Sequence, residues 1–215
     1  MRSTTRIPFT LTVVFALAFV CGCSSSGRME ESERAVEGFA KTKASIAKAT
    51  TQVDDLLKSL DTLSSGGDLS KSFKQFNSRL DDLKESAEKA KNRAEAMRER
   101  QDEFIAKWQE EMATVKDPTL KSTLEQRREA VRSNYERVRA AGQAVRDAYD
   151  PFVAKLDEIQ KTLSIDLTPP TVTGIRSVID SARKDGQTLK DRLGALQAEL
   201  DRIEAGLSPT GKAAS

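Results

Sequence analysis

LSKSFKQFNSRLDDLKESAEKAKNRAEAMRERQDEFIAKWQEEMATV, residues 69–115, decides the fold. Leu69, Phe73, Phe76, Leu80, Leu83, Ala87, Ala90, Ala94, Met97, Gln101, Phe104, Trp108, Glu111 and Val115 follow one another at alternating four- and three-residue steps. An α-helix turns once in about 3.6 residues, so this spacing lays the whole set along one face, as in the seam of a coiled coil. Gln101 and Glu111 are its polar interruptions, and a polar seam residue fixes register.

Upstream, Phe39, Ile46, Val53 and Leu60 recur every seven residues, with Ala49, Leu56 and Leu63 completing the stripe. That predicts a helix over 32–63. Ser64-Ser65-Gly66-Gly67-Asp68 stops it, the glycines supplying positive φ and Asp68 a cap for the next helix. Downstream, Asp117-Pro118 offers a cap and a first-turn proline. Leu124, Val131, Val138, Val145, Phe152 and Ile159 then keep a seven-residue period over 118–163, flanked by Tyr135, Tyr149, Leu156 and Leu163. Because the register passes through Pro151 without a phase change, a kinked continuous helix is expected rather than two helices. A final stripe from Val172 to Leu207 predicts a fourth helix over 170–207, followed by a disordered tail over 208–215.

Four long helices joined by short connections make antiparallel neighbours. The expected fold is all-α: an elongated up-down-up-down four-helix bundle with coiled-coil-like heptad seams. The first and last helices are each about 32–39 residues, roughly 50–60 Å, against about 45 residues and roughly 67 Å for the middle pair. The middle pair should therefore protrude as a bare hairpin over about 104–124. Its candidate contact residues for a membrane or partner are Phe104, Ile105, Trp108, Met112, Arg127 and Arg128. The arginines are expected to pair with Glu110 or Glu111, or to reach lipid headgroups. By the same counting Ala47, Ala49, Ala87, Ala90, Ala148 and Gly186 fall near one height, which predicts a narrow waist.

The amino terminus is of another kind. Arg2 and Arg6 precede an uncharged apolar run from Ile7 to Val20. At about 14 residues it suits a signal peptide better than a spanning helix, which needs roughly 18 or more. Val20-Cys21-Gly22-Cys23 resembles the lipobox of bacterial lipoproteins. The expectation is a lipoprotein signal peptide over 1–22, lipid such as palmitate on Cys23, and a flexible tether over 23–31. Loss of the two signal-peptide arginines from 35 Lys+Arg leaves the mature chain formally neutral against 33 Asp+Glu, which argues against a nucleic-acid partner. The two cysteines both lie in that leader window, so no disulfide framework or cysteine–metal site is expected.

The chain has no histidine. That excludes the Glu-x-x-His carboxylate-bridged metal sites of catalytic bundles and histidine bases alike. Gly66-Gly67 lacks the Gly-Lys-Ser/Thr that would complete a phosphate loop. Asp54-Asp55, Asp81-Asp82 and Glu110-Glu111 read as solvated helix faces. No catalytic residue, cofactor or metal is expected.

The order of lipobox, first helix, Gly66-Gly67-Asp68-Leu69 turn, and a heptad helix leading to Phe104 and Trp108-Gln109-Glu110-Glu111 resembles the family catalogued as domain of unknown function 2959. Members place an acidic residue before the tryptophan, where this chain has Lys107. The resemblance, over about 40–205, implies a helical, often lipidated bacterial envelope protein and no assigned activity. The expected role is that of a lipid-anchored, non-enzymatic structural or interaction rod touching unknown envelope proteins, at the outer membrane facing the periplasm in a Gram-negative host. A bundle that binds a hydrophobic ligand or acts on the membrane surface is the alternative, and self-association through the seams is a further one.

Overall fold

The computed structural model describes the backbone of residues 25–207 and the side chains of 40–204 apart from Arg100. The stretch expected to be a signal peptide, Cys23 and the expected tail over 208–215 lie outside the described residues. Five helices follow in order: α1 Ser25–Ser65, α2 Leu69–Ala113, α3 Pro118–Ile165, α4 Pro169–Gly174 and α5 Arg176–Leu207. Among the described residues there is no strand.

Two expected boundaries are corrected. The helix expected from Ser32 starts at Ser25, taking up most of the stretch read as a tether. Arg28, Met29, Glu30 and Glu31 are good helix formers, and no proline interrupts them. At the other end the single fourth helix is two. Gly174 and the β-branched Thr171, Val172 and Thr173 make a poor helical run. Ile175 leaves the helical conformation at φ −94°, ψ 8°, and the chain re-enters through Val178 N–H donating to the Ile175 carbonyl at 2.9 Å. Short α4 packs against α1 and α5.

The turns obey local chemistry. Gly66 and Gly67 take φ of 84° and 113°, the left-handed region that side chains disfavour. The Asp68 carboxylate then accepts from Lys71 N–H at 3.0 Å to cap α2. Asp117 caps α3 by accepting from Thr119 and Leu120 N–H at 2.8 and 2.9 Å, with Pro118 in the first turn. Asp117→Ala should lower stability by about 0.5–2 kcal/mol. A urea midpoint unchanged by this substitution would show the cap to be idle. Helix α3 runs unbroken through Pro151, as the unchanged heptad register implied.

Polar cross-links close the helices into a ring, α1 to α2 to α3 to α5 and back to α1. Gln52 Nε2 donates to Ser86 Oγ at 3.0 Å between α1 and α2. Arg139 meets Asp102 at 3.1 Å, and Lys84 pairs with Asp157, between α2 and α3. Lys155 donates to Ser181 at 2.8 Å, and Arg137 meets Glu199 at 3.4 Å, between α3 and α5. Lys190 meets Asp54 at 2.6 Å, Arg183 meets Asp61 at 2.5 Å and Lys43 meets Asp201 at 2.9 Å between α5 and α1. Arg79 meets Asp55 at 3.9 Å as a second α1–α2 pair, so at every interface residue numbers rise on one helix as they fall on the other and each neighbour is antiparallel. Such half-exposed pairs contribute about 0–1 kcal/mol each. Their consequence is register rather than stability.

Stability comes from the seam. Val53, Leu56, Leu60, Leu63, Phe76, Leu80, Phe152, Leu156, Ile159, Leu163 and Ile179 are fully enclosed, gathered toward the end that carries the glycine turn. Along α2 no described side chain between Leu83 and Gln101 is fully buried. The expected waist is corrected in part: Ala148 and Gly186 are buried, but Ala47 and Ala90 are exposed, because α2 offers only short alanine methyls there and little apolar area to hold it in. Close approach occurs at Gly186, where a Cβ would lie 2.9 Å from Leu57 Cδ2 and 3.1 Å from Phe152 Cε2.

Candidate functional site

The tip of the α2–α3 hairpin is built from the last turns of α2 and the first turns of α3. On α2 the stripe continues through Gln101, which is buried, and then Phe104, Ile105 and Trp108, all half-buried. The Phe104 and Trp108 rings meet edge to face with centroids 5.5 Å apart and planes at 68°. That geometry is favoured by the aromatic quadrupole. Met112 follows at 5 % exposure. Across from them on α3, Val131 and Tyr135 are buried. Burial pushes the Tyr135 phenol up to about 12. These buried residues form a small group separate from the main core.

Glu111 does not hold the seam position expected of it. It is exposed, 3.9 Å from Lys107 on its own helix. Trp108 to Met112 is a four-residue step where the heptad called for three, so the stripe rotates by one residue. Burying a thioether there avoids the desolvation penalty of a carboxylate. Arg128 also differs from expectation. Arg128 is half-buried, and its Nη1 donates to Gln109 Oε1 at 2.9 Å rather than to Glu110 or Glu111. Arg127 is exposed.

The tip is also less bare than the helix lengths suggested. With α1 beginning at Ser25, Ser25 stands as far before Gln52 as Ala113 stands after Ser86, the residue Gln52 bonds. The start of α1 thus falls level with the end of α2. The described part of α5 reaches Leu207, short of that level. Seam spacing brought Phe104, Trp108 and Gln101 together correctly, but it missed Val131 and Tyr135 as their partners. Both lie on the α3 heptad, and placing them opposite Met112 required the register that the Arg139–Asp102 pair sets.

One large apolar side chain at this tip faces outward. Leu120, in the first turn of α3, is 60 % exposed. Asp117, Lys116 and Lys121 beside it are exposed as well. Among the described residues no three acidic side chains converge as a metal site would need, and no helix is long and apolar enough to cross a membrane. The tip can offer an apolar edge within a charged rim, which is the chemistry of a contact surface.

No curated protein and no solved structure matches the chain. The model of a family described as protein of unknown function (DUF2959) matches residues 27–204, from the first turn of α1 to the last of α5, and the chain belongs to that family.

Proposed function

We propose that this chain is a lipid-anchored protein of the bacterial cell envelope, working as a non-enzymatic rod that holds other envelope components at a set distance from a membrane. The observation that carries the reading is the position of Cys23, two residues before a helix of 41 residues that runs the length of the bundle. Lipid on that cysteine would fix one end of the rod at the bilayer and leave the glycine-turn end roughly 60 Å away. The lipobox-like Val20-Cys21-Gly22-Cys23 supports the anchor, and Ser24 rather than aspartate after it suits outer-membrane sorting in a Gram-negative host. A non-enzymatic role is supported by the absence of histidine from the sequence and by the placing of carboxylates in exposed, paired positions. The packing of Leu57 and Phe152 against Gly186 speaks for a solid interior over a ligand chamber.

Metabolic labelling with a palmitate analogue tests the anchor. Wild-type protein should take the label and sediment with membranes, and Cys23→Ser should do neither. Label retained by Cys23→Ser, or absent from the wild type, would overturn the reading. Crosslinking in cells, followed by identification of the captured proteins, then tests the rod's role.

A further inference from the structure

Of the large apolar side chains among the described residues, two stand open: Leu120 at 60 % and Ile165 at 80 % exposure. They lie at opposite ends of α3. Leu120 is flanked by Lys116 and Lys121, for which no ion pair forms among the described residues, whereas the nearby Asp117 carboxylate is engaged by the N–H groups of α3. The turn therefore presents one apolar side chain between two ammonium groups. Phe104, Ile105 and Trp108, by contrast, are half-buried and Met112 is enclosed. The aromatic seam is thus turned into the bundle, and the outward surface is the turn itself.

What that surface meets follows from the register. The start of α1 is level with the end of α2, and Cys23 lies two residues before α1. Two residues reach about 7 Å at full extension. A lipid on Cys23 would consequently hold the turn within reach of the headgroups. We infer that the α2–α3 turn, residues 114–121, is a membrane-contact surface, with Leu120 seated at the acyl boundary and Lys116 and Lys121 on the phosphates of anionic lipids. Cations beside an apolar anchor are the chemistry that binds such an interface. The inference rests on the lipid-anchor reading above.

The test uses the lipidated chain in vesicles of phosphatidylethanolamine and phosphatidylglycerol, carrying an environment-sensitive fluorophore on Leu120→Cys or, separately, on Ile165→Cys. With Cys23 lipidated, the mature chain has no other free thiol, so each label is single. The label at position 120 should shift to the blue and be shielded from an aqueous quencher, while that at position 165 should do neither. Lys116→Glu with Lys121→Glu should reverse the shift without releasing the protein from the vesicles. A chain that floats with the vesicles while the label at 120 quenches as freely as that at 165 overturns the inference and leaves the anchor standing. Equal shielding at both positions would mean a rod lying flat, which also overturns it. A chain that fails to float takes down the anchor, and this inference with it.

Discussion

Phe152→Ala is expected to destabilise the bundle by about 3–5 kcal/mol, the usual loss for emptying a buried phenylalanine site. Phe152 has 0 % exposure and belongs to the core cluster with Leu56, Leu156 and Ile179. Its ring edge lies against α5 at Gly186, where Leu57 of α1 also approaches. A cavity opened there adjoins three helices and cannot be refilled from α5, because Gly186 has no side chain to move in. The cost should therefore fall toward the upper part of the range. At about 2–4 °C per kcal/mol for a chain of this size, the thermal midpoint should drop by roughly 10 °C or more.

The glycine sharpens this prediction. Gly186→Ala alone sets two effects against each other. Alanine gains about 1 kcal/mol of helix propensity over glycine, but its Cβ would press on Phe152 at 3.1 and 3.2 Å and on Leu57 at 2.9 Å. The Leu57 methyl is the end of a flexible, half-buried side chain and can turn aside. The enclosed Phe152 ring has less room to yield. With Phe152→Ala in place the contact with the ring is gone, Leu57 has room to turn aside and the propensity gain remains, so the two substitutions should be non-additive by about 1 kcal/mol, the double variant being more stable than the sum. Simple additivity in urea titrations would mean that the ring and the glycine do not touch.

The sequence made the bundle legible because its heptads are carried by large residues wherever the core is tight. Val53, Leu56, Leu60, Phe76, Leu80, Phe152, Leu156 and Ile159 were all on the expected stripe, and all are enclosed. Where alanine stands on the stripe, periodicity persists but the driving force weakens. Ala90 occupies a seam position and is exposed. The helix ends were less legible for a different reason. A start in a run of good helix formers, as at Ser25, is set by summed propensities, and a stop such as Gly174 followed by Ile175 keeps the seam phase on both sides. Heptad counting cannot register either. The tip failed in a third way: counting in sevens carried Glu111 inward past the point where the helix had already rotated to Met112. The exposed Leu120 follows from its place in the first turn of α3, which the Asp117-Pro118 pair signalled, but its outward direction needed coordinates.

The second large effect should appear at alkaline pH. The phenols of Tyr135 and Tyr149 are both raised from 10.0 to about 12, chiefly by burial, with Asp150, Asp157 and Glu88 adding to the effect at Tyr149. The folded chain therefore holds these protons more tightly than the unfolded chain. Below pH 10 both states are protonated and the tyrosines leave stability unchanged. Between about pH 10 and 12 the unfolded chain loses protons that the folded chain keeps, so stability falls as pH rises, and above 12 the loss levels off. For Tyr135, which is nearly enclosed, the full loss is about 1–3 kcal/mol. Tyr149 is half-buried, and solvent screening makes its share smaller. Lys43 acts in the same direction, since Glu204 and Asp201 hold its ammonium above its ordinary value and their bridges fail as it deprotonates. Tyr135→Phe separates the contributions. It keeps the ring in place and removes the phenol, so its urea midpoint should lose less between about pH 9 and pH 11 than that of the wild type, by an amount set by the Tyr135 shift. An equal loss in both proteins would assign the alkaline instability to Tyr149 and the Lys43 bridges and would place the Tyr135 hydroxyl in water. The small buried group at the tip, to which Tyr135 belongs, would then be open at the end nearest the proposed membrane contact.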